Sequence, residues 1–383
     1  MFVKFIFLAI VSSLIVQTES NLISVVQVFR HGQRTPIWYY ENDRYDKDYY
    51  WPVTAGQLTT TGMHQHYTLG NFTRQRYGSW LGRYSPLTFR VQTTDVDRTH
   101  MSAQCDLAGL FPSEGDQVWN ENFPWQPIPV HVSDPRVMSP YTSCAAYTEE
   151  VDRVLLDTDY YKDIDEEYRS VYEYITLNSG SKITSVTDAN KVRDVLLIEN
   201  EFGYTLPDWT KSVFPEPLNT LGGYAFQSYA YNTKLARLST GIFIDTLINH
   251  FDDMKNSTST PKYQMYSAHD TNIAQILSTL GAVQTYAPYF ASTIYFELRH
   301  LLGVYFINVY YKNGDNFEKI IPKGCLVFDC PLYKFKSLME DIRLDTETWE
   351  SECSVTSNRK ISTSVQNLFL HQEPNGPGHK LGT

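Results

Sequence analysis

Cations are in short supply in this 383-residue chain: 32 Lys and Arg stand against 43 Asp and Glu, a formal net charge of −11. That balance excludes a nucleic-acid polyanion as the main partner, and a phosphate-bearing ligand needs a local basic pocket to override the field. Cysteine is sparse, five in all, and none stands at CxxC spacing, which removes a structural zinc site. After residue 20 no long apolar run remains. The nearest, Leu301 to Tyr311, is broken by Gly303 and Asn308, so no internal segment reads as a membrane span. Internal repeats and low-complexity tracts are missing too, which sets aside solenoids and fibrous chains.

What is present describes a globular protein. Hydrophobic residues reach 42% and charged residues 20%, with length enough for one large domain or two ordinary ones. The first twenty residues form a secretory signal pattern: Lys4 gives the charge, Phe5 to Val16 the apolar run and Gln17 to Ser20 the polar end. The run is too short to span a bilayer. The mature chain is therefore expected to be soluble and secreted, with the lysosomal lumen as the second destination.

In an oxidising compartment four cysteines can pair. Cys325 and Cys330 flank a short loop and form the natural local pair. Cys105 shares a helical face with Met101 and Ala108 and reads as a buried thiol, which leaves Cys144 with Cys353. The sequons Asn71-Phe72-Thr73 and Asn256-Ser257-Thr258 make Asn71 and Asn256 candidate glycan sites.

Along the chain, Ser24 to Phe29 reads as a buried strand and Gln57 to Tyr77 as a helix entered through Thr59 to Thr61. Thr88 to Thr93 follows as a strand, then a helix that Pro112 stops. From about Ser133 to Gly241 strand patterns give way to acidic, Tyr-rich helical ones. Near Ile242 a helix leads back to a strand at Tyr263 to Ala268, a helix at Thr271 to Leu280 and strands at Ser292 to Leu298 and Val304 to Tyr311. Asn313-Gly314 signals a hairpin turn. The expectation is an α/β domain built from 21–132 and 242–383, with a loose polar tail after about 354 and a helical cap inserted at 133–241.

Three strand-to-helix corners carry chemistry. The first runs Arg30-His31-Gly32-Gln33-Arg34-Thr35-Pro36: two guanidinium groups around an imidazole at a strand's carboxyl end, where open α/β sheets place their ligands. The second is Tyr266-Ser267-Ala268-His269-Asp270-Thr271-Asn272. Asp270 there suits a proton donor whose pKa a phosphorylated substrate raises, while a bland reading makes Asp270 or Thr271 a helix cap. The third, Thr94 to Thr99, offers Arg98. His64 and His66 read as solvated and His100 as cover for a helix start. The aromatic stretch from Trp38 to Trp51 is either a rim for aryl phosphates or ordinary packing.

These motifs, with GQLTTTG at 56–62, TTDVDRTHMSA at 93–103, WQPIPVH at 125–131 and MYSAHDTN at 265–272, resemble the histidine acid phosphatases of the prostatic and lysosomal branch and venom-type invertebrate relatives. The resemblance spans about Leu22 to Cys353. It implies a mixed-sheet, phosphoglycerate-mutase-like large domain with a smaller helical cap. It implies His31 as the nucleophile that becomes phosphohistidine, Arg30, Arg34, Arg98 and His269 as the phosphate clamp, and Asp270 as the acid. No metal or other cofactor is implied.

Small phosphate monoesters or phosphorylated peptides are the implied substrates, and a homodimer through WQPIPVH is the implied assembly. The disulfides Cys144–Cys353 and Cys325–Cys330 match family pairs. A further family pair is missing, because no cysteine lies between Cys144 and Cys325, and Asn272 after His-Asp-Thr is shared with the phytase branch. The alternatives are a phytase-like or other narrow phosphohydrolase, a mutase-like transferase, or an inactive secreted binding or venom protein.

Overall fold

The computed structural model describes residues 21–140, 143–256, 261–282 and 285–354. The expected leader, Ser257 and Thr258 of the second sequon, and the polar tail lie outside the described residues.

In chain order the elements are β1 (Asn21–Arg30), α1 (Thr60–Leu81), β2 (Phe89–Thr93), α2 (Asp97–Leu110), β3 (His131–Val132), α3 (Pro135–Met138), α4 (Ala145–Asp157), α5 (Asp159–Glu167), α6 (Arg169–Ser179) and α7 (Val186–Glu201). There follow α8 (Leu218–Gln227), α9 (Thr233–Lys255), β4 (Tyr263–Ala268), α10 (Asp270–Thr279), β5 (Thr293–Leu301), β6 (Val304–Asn313), β7 (Asn316–Ile320), β8 (Cys330–Pro331), α11 (Leu332–Leu338) and α12 (Thr346–Ser354).

The strands form one mixed sheet in the order β3-β2-β4-β1-β5-β6-β7, with β8 paired to β6. β1, β2, β3 and β4 run parallel, whereas β5 pairs antiparallel with β1. The β1 sequence explains its central place. Val25 and Phe29 pack on one face among Leu69 and Tyr77 of α1 and Leu107 of α2. Val26 and Val28 pack on the other among Phe243 and Ile244 of α9 and Ile273 of α10. A strand buried on both faces needs this near-continuous apolar run. Its one buried amide, Gln27, accepts a 2.7 Å bond from the Tyr263 hydroxyl.

Between 133 and 241 the described residues contain helices and no strand. Tyr147, Val151, Val192, Leu196 and Leu221 build a core of their own, joined by Cys144 and Cys353. The Cys144–Cys353 disulfide closes a separation of 209 residues, and Cys325–Cys330 closes one of 5; the long closure constrains the unfolded chain the more. Cys105 is in no disulfide and is half-buried rather than fully buried, and burial pushes its thiol up to about 11.

Local differences have local causes. Helix α1 begins after Thr59, whose hydroxyl accepts the Gly62 N–H at 3.1 Å, and continues to Leu81, where Gly82 takes a φ of 78°. Helix α9 starts at Thr233, capped by Asn232, and runs unbroken through 241–242, where the sequence texture changes. The hairpin turn sits one residue later than Asn313-Gly314. Asn313 stays in β6 opposite Asn316 because its Oδ1 accepts the Tyr289 N–H at 2.9 Å. Asn71 lies inside α1 with its amide donating to the Tyr67 carbonyl at 3.0 Å, whereas Asn256 is exposed at the end of α9. No helix among the described residues is long and apolar enough to cross a membrane.

One buried acid pair makes stability depend on pH. Glu199 of α7 faces Asp43, and both are buried beside Tyr40. Burial, then the neighbouring Asp43 charge, pushes Glu199 up to about 9. A carboxyl raised on folding binds its proton more tightly in the native state, so its contribution is complete below an ordinary carboxyl pKa and fades as pH rises toward 9. The stability contributed by the Glu199 proton is therefore expected to decline from pH 5 to 9, so that Glu199→Gln, an amide in place of the protonated acid, shows a less downward slope of melting temperature with pH than the wild type. An unchanged slope in the variant would place the proton elsewhere.

Candidate active site

The parallel strands β1, β2 and β4 end side by side, and the three motif corners leave from those ends. The sequence-predicted residues Arg30, His31, Arg34, Arg98, His269 and Asp270 all meet there. His31, 2% exposed, follows β1 directly and anchors its N–H on the Ala268 carbonyl of β4 at 3.0 Å. Its Nδ1 lies 2.8 Å from the Gly32 carbonyl. A carbonyl only accepts, so Nδ1 carries the proton and Nε2 keeps its lone pair. Burial, then Arg98 and Arg30, holds the His31 pKa well below the usual histidine value. The surroundings therefore favour the neutral imidazole.

Around it the cations are fixed. Arg30 Nη2 is 2.8 Å from Asp270 Oδ2, its Nη1 donates to the Pro288 carbonyl at 2.6 Å, and its guanidinium stacks 4.1 Å from the Phe290 ring centre. Arg34 Nη2 is 3.1 Å from Asp194 Oδ2, a carboxylate of α7. Arg98, in the first turn of α2, reaches to 3.5 Å from His269 Nδ1. His269 places Nε2 3.0 Å from Thr94 Oγ1, and its ring centre lies 5.6 Å from that of His31. Burial, then Arg98, lowers the His269 pKa well below the ordinary value.

Asp270 departs from the cap reading. It is the first residue of α10 and not its cap. His269 occupies the cap position, donating its N–H to Asn272 Oδ1 at 3.1 Å. Burial acts to raise the Asp270 pKa, but Arg30 and then Arg34 outweigh it and hold the carboxyl below its usual range. The lowering comes first from the short pair to Arg30, a contact the one-dimensional motif does not display.

Gly32 is demanded by close packing. A Cβ there would stand 2.3 Å from the Gly62 carbonyl oxygen, so this loop packs backbone to backbone on the start of α1. Gly32→Ala is expected to displace the loop and lower both stability and turnover. An alanine variant with native activity and melting temperature would contradict that packing.

His66 corrects the sequence reading most plainly. It is fully buried rather than solvated, with Nε2 3.1 Å from the Arg30 carbonyl and Nδ1 3.7 Å from Asp106. Its apolar neighbours lie across the fold, on Phe29, where helix periodicity alone does not reach. His64 is exposed and His100 lies 3.8 Å from Asp95. Of the aromatic stretch, Trp38 lines the pocket, while Tyr40 and Trp51 are buried in packing. The sequence reading missed Asp194, Arg193 and Thr94. The two α7 residues sit in an acidic helical tract without a motif, and only the fold turns them toward the crevice.

The sequence pattern of the histidine phosphatase superfamily (branch 2) matches residues 21–301. The chain belongs to that family. It is 34% identical over 349 residues to the prostatic acid phosphatase of Bos taurus, covering 88% of each chain. It is 30% identical to a venom acid phosphatase of Apis mellifera, covering 94% of each, and 31% identical to the lysosomal acid phosphatase of Homo sapiens, covering 87% of this chain and 80% of that one. A Hafnia alvei phytase superposes with a TM-score of 0.67 at 18% identity, over 88% of this chain and 99% of the phytase, a likeness of fold. This branch-2 histidine phosphatase is thus a phosphatase of the histidine acid phosphatase type. An imidazole nitrogen with a free lone pair amid three guanidinium groups suits a phosphoryl group whose oxygens must be neutralised as it transfers.

Proposed function

We propose that the site hydrolyses phosphate monoesters through a phosphohistidine on His31, beneath a cap formed by residues 133–241. The observation that carries the reading is the Nδ1 contact to the Gly32 carbonyl, which leaves Nε2 as a neutral nucleophile between Arg30, Arg34 and Arg98. Nε2 attacks phosphorus, the P–O bond to the alcohol breaks, and Asp270 gives the leaving oxygen its proton. Water then attacks the phosphoimidazole while the Asp270 carboxylate accepts a proton, and phosphate leaves.

Because Asp270 is held low by Arg30, its proton must arrive with the substrate. A phosphate monoester carries that proton below a pKa of roughly 6 and draws Arg30 toward its own oxygens. Turnover is accordingly favoured in acid. A secretory leader at 1–20, two disulfides and the prostatic and venom relatives support a secreted protein, and the lysosomal relatives support a lysosomal lumen. Glycans at Asn71 and Asn256 belong to the same reading. Exposed Trp119 and Phe123, near the edge strand β3, support a homodimer through the adjoining 125–131 segment.

The test is release of inorganic phosphate from an aryl phosphate by the purified protein near pH 5, in parallel with inositol hexakisphosphate. Preferential aryl hydrolysis supports the reading, preference for the inositol ester favours a phytase, and no release by either contradicts catalysis.

A further inference from the structure

The active-site pocket, about 780 Å³ and open to solvent, has Arg30, Arg34 and Asp270 on one side and α7 on the other. The α7 wall holds a cation that the phosphoryl chemistry does not use. Arg193 lines the pocket and is 4% exposed. Its Nε donates to Asn219 Oδ1 at 2.8 Å, and neither Nη group has a hydrogen-bond or ion-pair partner among the described residues. The carboxylates that could balance it are committed elsewhere: Asp194 to Arg34 at 3.1 Å and Asp270 to Arg30 at 2.8 Å.

A guanidinium keeps its charge in a protein, and leaving that charge buried without a counterion is costly. Burial lowers the Arg193 pKa even with Asp194 nearby, as expected of a cation short of negative charge. Room for this pose is built into α8. A Cβ on Gly222 would stand 2.7 Å from Arg193 Cδ and 2.9 Å from Asn190 Oδ1. Lys191 lines the same pocket, loosely engaged with Asp188 Oδ1 at 3.5 Å. A purely structural clasp on Asn219 accounts for one of the five Arg193 donors and leaves the fork unused.

Position decides what the fork meets. Arg193 is near enough to Arg30 and Asp270 to feel both charges. Arg193 and Asp270 line the same pocket, from which the leaving alcohol must emerge. We propose that Arg193, with Lys191 beside it, forms a second anion subsite for the alcohol half of the substrate, so that this phosphatase favours monoesters whose alcohol carries its own carboxylate or phosphate. The inference rests on the phosphomonoesterase reading above and narrows its substrate class.

The test compares kcat/KM for matched series at one pH: alkyl phosphates, ω-carboxyalkyl phosphates and α,ω-alkanediol bisphosphates of two to five carbons. Wild type is expected to favour one anionic series over the alkyl series by about tenfold or more, expressed in KM, as one charge-assisted hydrogen-bonded contact supplies. Which series wins identifies carboxylate or phosphate. Arg193→Met is expected to bring the ratio near one, and Arg193→Lys to keep part of it. The ratio is taken within one protein, so a smaller folded fraction cancels. An alkyl-competent wild type without the preference, or a ratio unchanged in Arg193→Met, overturns the subsite alone. A wild type that hydrolyses none of the three series overturns the phosphomonoesterase reading and the subsite with it.

Discussion

Exchanging His31 for alanine is expected to lower kcat on every phosphate monoester by on the order of 10⁴-fold or more, as removal of a covalent nucleophile does. Three features of His31 concentrate the chemistry on it. Its Nδ1 is held by the Gly32 carbonyl at 2.8 Å, which leaves the lone pair on Nε2. Its ring is 2% exposed, so water does not compete for that nitrogen. Arg98 and Arg30 add to burial in lowering its pKa well below the ordinary histidine value, which favours the neutral ring. Steady-state turnover on an aryl and an alkyl phosphate, with melting temperature as the control for folding, measures the effect. A variant within tenfold of wild type would move the nucleophile elsewhere, His269 being the nearest imidazole at 5.6 Å between ring centres.

Asp270→Asn is expected to act unequally on different alcohols. An alkyl alkoxide is a poor leaving group and needs its proton as the bond breaks, so its phosphoryl transfer should fall by roughly 10²–10⁴-fold. Nitrophenolate departs with little help and that step should be spared relative to the alkyl case. Water has then also lost its base, so phosphoenzyme should accumulate and a burst of phenolate appear. The substitution also removes the charge that faces Arg30 at 2.8 Å. Freed of that partner, Arg30 can turn wholly to phosphate, so KM is expected to fall or stay level rather than rise. Equal losses on both substrates, or none on the alkyl ester, would remove the proton-donor role.

Much of this was legible in the sequence because open parallel sheets put ligands at strand ends. β1, β2 and β4 each end in a motif with Arg, His or Asp in its first residues, and the apolar runs that mark those strands are short and continuous. The helices between 133 and 241 were visible through Val151, Val154 and Leu155, and Val192, Val195 and Leu196, whose spacing sets a buried face. Local signals served less well where a distant partner decides.

Asn313 reads as a turn residue, yet its side chain is recruited by Tyr289 and stays in the strand. His66 reads as one polar residue among several on α1, yet the Arg30 carbonyl and Asp106 take it inside. Asp270 reads as an acid whose proton a substrate phosphate would hold, and the Arg30 partner that pulls its pKa the other way is not visible in the motif. The α7 contribution, Asp194 on Arg34 and Arg193 on the pocket wall, depends on how α7 packs against the end of β1, which no spacing along α7 encodes.

The most direct measurement of the central claim is chemical. Wild type or Asp270→Asn, mixed with ³²P-labelled substrate for milliseconds and quenched without acid, should yield a phosphorylated peptide containing His31, labile in acid and stable in base. Label on a serine, an acid-stable adduct, or label retained at full yield in His31→Ala would contradict a phosphohistidine at this position.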